Sequence, residues 1–324
     1  PMPQTREHVE ILDVLGVERL VVALTKCDLA DEETLFIAEE EIADLLAPTG
    51  MAGATVVRVS SETGDGFDAL HAALAEAIPP PRGEVDDPFV FRMPVLRRVL
   101  VPARGAVLTG IPVHGSIAVG DRVDVLPQGW TGKVRAIQVH HRDADSASRG
   151  HRAALALSDV QVDKVKRGMV IAAAGVLKPV KRIATEVRIL QGVRKPLAHG
   201  DRVRLHIGAD QAVARVHLPG KKPVQPGGSD IVELEMAEPV VAAPGDKIVL
   251  RAENASATLG GGFVIELLAA RLKRRQGIVD GLKERARHLD DPAALVRGCL
   301  IAASERGTTV DDMVARTALR PDVM

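Results

Sequence analysis

The 324 residues carry 46% hydrophobic and 26% charged side chains with a formal net charge of −1, a globular rather than disordered mixture. No run of about 18 apolar residues is present to span a bilayer, and the chain exceeds one ordinary core of roughly 100–150 residues, so two to three compact units are expected. The two cysteines, Cys27 and Cys299, lie far apart, which excludes a disulfide scaffold or a cysteine-rich metal site, and the start lacks a secretory pattern, so the cytoplasm is expected. A near-neutral chain has no global basic field for nucleic acid, which leaves local patches. Candidates are Arg97, Arg98 and Arg104; Lys178, Lys181 and Arg182; and Arg271, Lys273, Arg274 and Arg275, although such runs are ordinarily solvated faces.

Residues 20–79 alternate strand and helix signals. LVVALTKCD is an unbroken apolar run ending in polar residues, as a buried parallel strand does, and residues 31–46 place apolar positions at helical spacing behind acidic ones. ATVVRVSS predicts a second strand and residues 67–78 a second helix. The prolines at 79–81, followed by Arg82, fit neither helix nor central strand and predict a stiff boundary segment. Beyond them, short β-branched runs separated by turn signals, such as GSIAVGDRVDVLPQGWTGKVRAIQV and RVRLHIGADQAVARVHLPG, predict two antiparallel β-barrels dividing near residues 177–179. After Gly260, Gly261 and Gly262 helical spacing returns over residues 277–289. A helix is predicted over 292–304, and TTVDDMVARTAL predicts the second helix of a helix-turn-helix capped by threonine.

The predicted units are therefore 1–80, half of an α/β nucleotide-binding domain; 85–177 and 178–268, two β-barrels; and 269–324, a linker helix and the beginning of a winged helix.

Chemistry concentrates at two strand ends. Thr25, Lys26 and Asp28 follow the first strand at the carboxyl edge, where open α/β sheets bind ligands. A carboxylate there accepts two hydrogen bonds from N1–H and the 2-amino group of guanine, whereas adenine presents an acceptor at the matching ring position. Lys26 can lay its stem along the base and Thr25 can brace the loop. Ser60 and Ser61, within SSETGDG, end the next strand at the same edge, so a backbone N–H near Ser61 could meet the guanine carbonyl. Either loop alone also fits an ordinary strand-end turn. No GxxxxGK[ST] phosphate loop occurs. His140 and His141, adjacent on a predicted strand, would point to opposite faces, so they are not expected to share a metal.

MPQTREHVEILDVLGV, TKCD and SSETGDG, in that order and spacing, resemble translational GTPases of the elongation factor Tu type. FRMPVLRRVLVPARGAVLTG, the IQVH segment, RGHRAALAL and TLGGGFVIE, with the helical tail, resemble the selenocysteine-specific elongation factors within that group. The resemblance implies a GTP-dependent factor that delivers selenocysteyl-tRNA to the ribosome and reads a messenger RNA hairpin through further C-terminal domains, as a monomer away from membranes. It implies GTP/GDP as ligand, with the phosphate loop, the magnesium-binding switches and the catalytic residue upstream of Pro1. This chain is therefore expected to be truncated at both ends, to carry no catalytic residue or metal ligand, and not to hydrolyse GTP alone. It also implies that Arg97 and Arg152 line a cationic aminoacyl pocket suited to a selenolate. Leu96, Ala103 and Ile111 stand where the family carries an acidic residue, a glycine and a threonine. The alternatives are another translational GTPase of the elongation factor Tu type, or a non-catalytic module that binds tRNA or the ribosome.

Overall fold

A computed structural model describes residues 2–79, 87–101, 105–220, 222–272, 276–303 and 307–324. The chain divides into two units, residues 1–85 and 86–324.

The first unit is built on two parallel strands, β1 (Val21–Thr25) and β2 (Thr55–Val59), in register from Val21↔Thr55 to Thr25↔Val59. The helices α1 (Pro3–Val14), α2 (Glu32–Leu46) and α3 (Phe67–Ala77) accompany them. Asp31 caps α2 by accepting from the Thr34 N–H at 2.8 Å, and hydrogen bonding to the Thr34 side chain, then to this N–H, holds its carboxyl below the usual carboxylate range. Arg58 on β2 grips Glu39 at 2.6 and 2.8 Å and Glu32 at 2.7 Å, which sets α2 along the strand. Val9, Leu46 and Met51 form the small core, packed by Leu12, Val22 and Ile42.

Among the described residues, the second unit contains two barrels and three α-helices. Its first barrel uses β3 (Arg92–Val101), β4 (Gly105–Gly110), β6 (Arg122–Leu126), β7 (Trp130–Val139), β10 (Ala153–Ser158) and β11 (Val170–Ala173). The order is β10-β4-β3-β11-β6-β7, closed by pairing of β10 with β7, while β8 (Arg142–Ala144) extends β7 and the short β5 (Ser116–Ala118) and β9 (Ser146–Ser148) pair separately. Alternation puts Met93, Val95, Leu108, Val123, Leu155 and Ile171 inside, all fully buried. The second barrel closes in the order β12-β15-β14-β13-β16-β17, from β12 (Val180–Ile189), β13 (Arg202–Ile207), β14 (Asp210–His217), β15 (Ser229–Val240), β16 (Lys247–Ala252) and β17 (Thr258–Leu267). Closure leaves no unpaired edge, the liability of an open sheet.

Helix α4 (Gln276–Ala286) lays Val279 and Leu282 over Ala184, Ile231 and Ile265 on the outside of that barrel. Glu233, 1% exposed, accepts from Arg182 and from the Leu272 N–H at 3.0 Å, which fixes where the chain leaves the barrel. Helices α5 (Pro292–Ala303) and α6 (Val310–Thr317) follow, with the Thr309 hydroxyl accepting from the Asp312 N–H as N-cap. A shared core of Val90, Leu126, Val170, Leu177, Val241, Val314 and Ala318 joins both barrels and α6. Across the same seam the buried Arg92 meets Asp246, with one hydrogen bond of 2.6 Å. Removing one partner of such a pair strands a charge, at a cost of roughly 3–5 kcal/mol.

Three expectations change here. His140 and His141 do not lie on a strand: they form the two-residue turn between β7 and β8, both left-handed at φ 50 and 65. Arg182 is not a solvated face, because Glu233 and Glu235 neutralise it. Arg271, although exposed, contacts the His217 ring at 3.1 Å. Arg104, Lys273, Arg274 and Arg275, and the boundary prolines Pro80 and Pro81 with Arg82, lie outside the described residues.

The seam carries a pH prediction. Burial, then the nearby Arg92 charge, pushes the His114 imidazole below its ordinary value. A histidine kept neutral in the fold binds its proton only on unfolding. The stability it contributes is therefore complete above about pH 6.5 and is lost as pH falls below that value toward its lowered folded pKa. His114→Asn should flatten the dependence of thermal stability on pH in that window. Retention of the full slope would remove His114 from the account. Part of the slope should survive the substitution, because His206 is lowered in the same direction, by burial and then by Arg251 and Arg204.

Candidate functional site

Parallel pairing of β1 with β2 ends both strands at one level, Thr25 opposite Val59, so the loops that follow leave from the same edge. Lys26 takes a left-handed conformation, φ 62, and opens a tight 3-10 turn, Cys27–Leu29, closed by the Leu29 N–H on the Lys26 carbonyl at 3.1 Å. A lysine at positive φ stores strain, a feature that concentrates at ligand sites. Thr25, Lys26 and Asp28 are all exposed around this turn.

The second loop is wound on Ser60. Its side chain is fully buried, and the hydroxyl accepts from the Glu62 and Thr63 N–H groups, both at 3.2 Å. Its N–H donates to the Asp65 carbonyl at 3.0 Å, and its own carbonyl accepts from Gly64 at 3.0 Å. Ser60 thus shapes the loop from inside, whereas Ser61 is exposed at its tip. Gly66, φ 80, must be glycine because a Cβ would stand 1.9 Å from the Arg58 carbonyl oxygen. An exposed carboxylate, a lysine stem and a tight loop tip at one sheet edge fit the guanine half of a nucleotide. The inward role of Ser60 has no sequence signal beyond its position after a strand.

A second constellation lies on the outside of the first barrel. Gly110 pairs with Val95 and with Ala153, and a Cβ there would fall 2.3 Å from the Pro94 carbonyl oxygen. The register of β3 slips between Val95 and Arg97, so Leu96 is the extra residue of a bulge. Val95 and Ala153 face inward, Arg97 and Arg152 are exposed, and Thr109 pairs with both Arg97 and Ala154. The two arginines therefore flank β4 on one outer face, with Thr109, Ala154 and the exposed Ile111 between or beside them. Thr109 and Ala154 carry no motif; only strand register brings them here. Arg98 turns away, donating to the Asp163 carbonyl. Among the described residues, no group of three or more His, Cys, Asp or Glu could hold a metal ion, and no helix is long and apolar enough to cross a membrane.

Comparison with known proteins follows this division. Residues 1–80 match the elongation factor Tu GTP binding domain, residues 105–172 elongation factor Tu domain 2, and residues 184–271 the β-barrel domain of the selenocysteine-specific elongation factor. Elongation factor Tu 2 of Streptomyces avermitilis is 34% identical over 277 residues, covering 81% of this chain and 70% of that protein. The chain belongs to the elongation factor Tu family of translational GTPases. It is also similar, along its whole length, to selenocysteine-specific elongation factors. The factor of Desulfomicrobium baculatum is 30% identical over 327 residues, which cover all of this chain and 50% of that protein. A crystal structure of bacterial selenocysteine-specific elongation factor superimposes with a TM-score of 0.80 at 26% identity, over 99% of this chain and 51% of that one. The chain thus spans about half the length of these selenocysteine-specific relatives.

Proposed function

We propose that the chain is part of a GTP-dependent elongation factor that carries selenocysteyl-tRNA to the ribosome. The observation that carries this reading is the likeness to selenocysteine-specific factors along the whole chain, barrels and helical tail included, whereas the elongation factor Tu 2 match covers 81% of it. In this reading Thr25, Lys26, Asp28 and Ser61 hold the guanine base, Ser60 keeps the second loop in shape, and Arg97 and Arg152 face the aminoacyl end of the tRNA.

The nucleotide supplies the phosphates whose hydrolysis, assisted by magnesium, drives the cycle in this family. This chain's residues would select and orient the base: Asp28 accepts from its ring N–H and amino group, and Lys26 covers its face. Phosphate binding, magnesium and hydrolysis belong to the family's phosphate loop and switches, and this sequence has no GxxxxGK[ST] phosphate loop. The messenger RNA hairpin and the ribosome remain proposed partners by the same likeness.

Fluorescent GTP and GDP should bind weakly to this chain and tightly to the protein extended upstream through its reading frame. Absence of binding by either would overturn the nucleotide reading and favour a module that only docks on RNA.

A further inference from the structure

The chain does not finish at α6. Ala318 caps that helix at φ 59, a left-handed conformation that costs an L-residue free energy and persists only where its surroundings hold it. Its methyl is buried in the core shared by Val90, Leu177, Val241 and Val314. The turn sends residues 318–320 antiparallel along residues 88–90. The Val90 N–H donates to the Ala318 carbonyl and the Arg320 N–H to the Pro88 carbonyl, both at 2.8 Å, with Phe89 opposite Leu319. Leu319 is fully buried.

Residues 88–90 are no ordinary partner, because they begin the second unit directly after the stretch that joins it covalently to the first. Their other flank is also held. The Asp87 carboxylate accepts from the Phe89 N–H at 3.1 Å and from the Gly115 N–H at 2.9 Å, and the Phe89 ring lies 4.5 Å from that of His114. The root of the connector is thus gripped between a loop of the first barrel and the end of the helical tail. Barrel closure does not need this pairing, since the six paired strands close without it. The tail in turn is tied down by Arg316 on Glu266 at 2.6 Å and Lys178 on Asp312 at 3.3 Å.

We infer that the pairing of residues 318–320 with 88–90 is a clasp coupling the helical tail to the root of the connector. A load on the tail changes the freedom of residues 87–90, and displacement of residues 87–90 changes that of the tail, by the same free energy in both directions. The clasp stands on geometry alone.

Amide hydrogen exchange on this chain tests the clasp without nucleotide or RNA, so its failure is distinct from failure of the functional reading. Arg320→Pro deletes one clasp hydrogen bond at a residue whose φ of −68 already suits proline. Phe89→Ala loosens the other strand. In Arg320→Pro the Val90 amide should exchange faster by about tenfold or more, and in Phe89→Ala the Arg320 amide should accelerate comparably, while Ile171 and Leu205 in the barrel interiors stay slow. Unchanged Val90 exchange in the first variant, or unchanged Arg320 exchange in the second, means that each strand is held independently and overturns the clasp. General acceleration that includes Ile171 and Leu205 overturns it too, because the pairing would then be part of global stability.

Discussion

Asp28→Asn is expected to lower affinity for guanine nucleotides roughly 100-fold in the protein extended upstream, because one of two charge-assisted hydrogen bonds is lost and an amide N–H then faces the base amino group. Xanthine nucleotides should gain what guanine loses: their ring N–H still meets the amide oxygen, and their second carbonyl accepts from the amide N–H. The reversal distinguishes base reading from simple damage to the loop, which would weaken both nucleotides together. Asp28 is exposed beside the strained Lys26, so the substitution removes no core packing. Titration of both nucleotides against the two proteins provides the check, and unchanged GTP affinity would sink the assignment of this edge as the base site.

Arg97→Ala or Arg152→Ala is expected to weaken selenocysteyl-tRNA binding about tenfold, with a smaller effect on the seryl form, since a selenolate is charged near neutral pH and a serine hydroxyl is not. Both guanidiniums lie on the outer face that flanks β4, so neither variant opens a cavity. Protection of the aminoacyl ester from hydrolysis, measured for both charged tRNAs, reads the difference. Equal losses on both would make these arginines general RNA contacts, worth little individually as exposed charges. Leu96, the bulged residue before the outward-facing Arg97, places an apolar side chain next to it in sequence.

Local signals made much of the molecule legible. LVVALTKCD and ATVVRVSS predict the two parallel strands because apolar runs that stop in polar residues have one economical structure, and Asp31 and Thr309 mark helix starts because their side chains satisfy otherwise unpaired N–H groups. TKCD and SSETGDG were recognisable as strand-end loops for the same reason, and parallel pairing then brings them to one edge. The tight histidine turn was misread because two left-handed histidines carry no glycine or asparagine to announce a hairpin.

By itself the sequence determined the order of elements, the position of the two strand-end loops and the barrel character of the middle of the chain, since each depends on periodicity or on neighbours a few residues apart. Only the tertiary structure decided that Arg92 meets Asp246, 154 positions away, that Arg182 is neutralised by Glu233 and Glu235, that the exposed Arg271 reaches the His217 ring, and that Leu319 lies opposite Phe89. Those contacts follow from barrel closure and strand register, where a shift of one residue turns every side chain to the opposite face, and no local pattern encodes which distant strand supplies the partner.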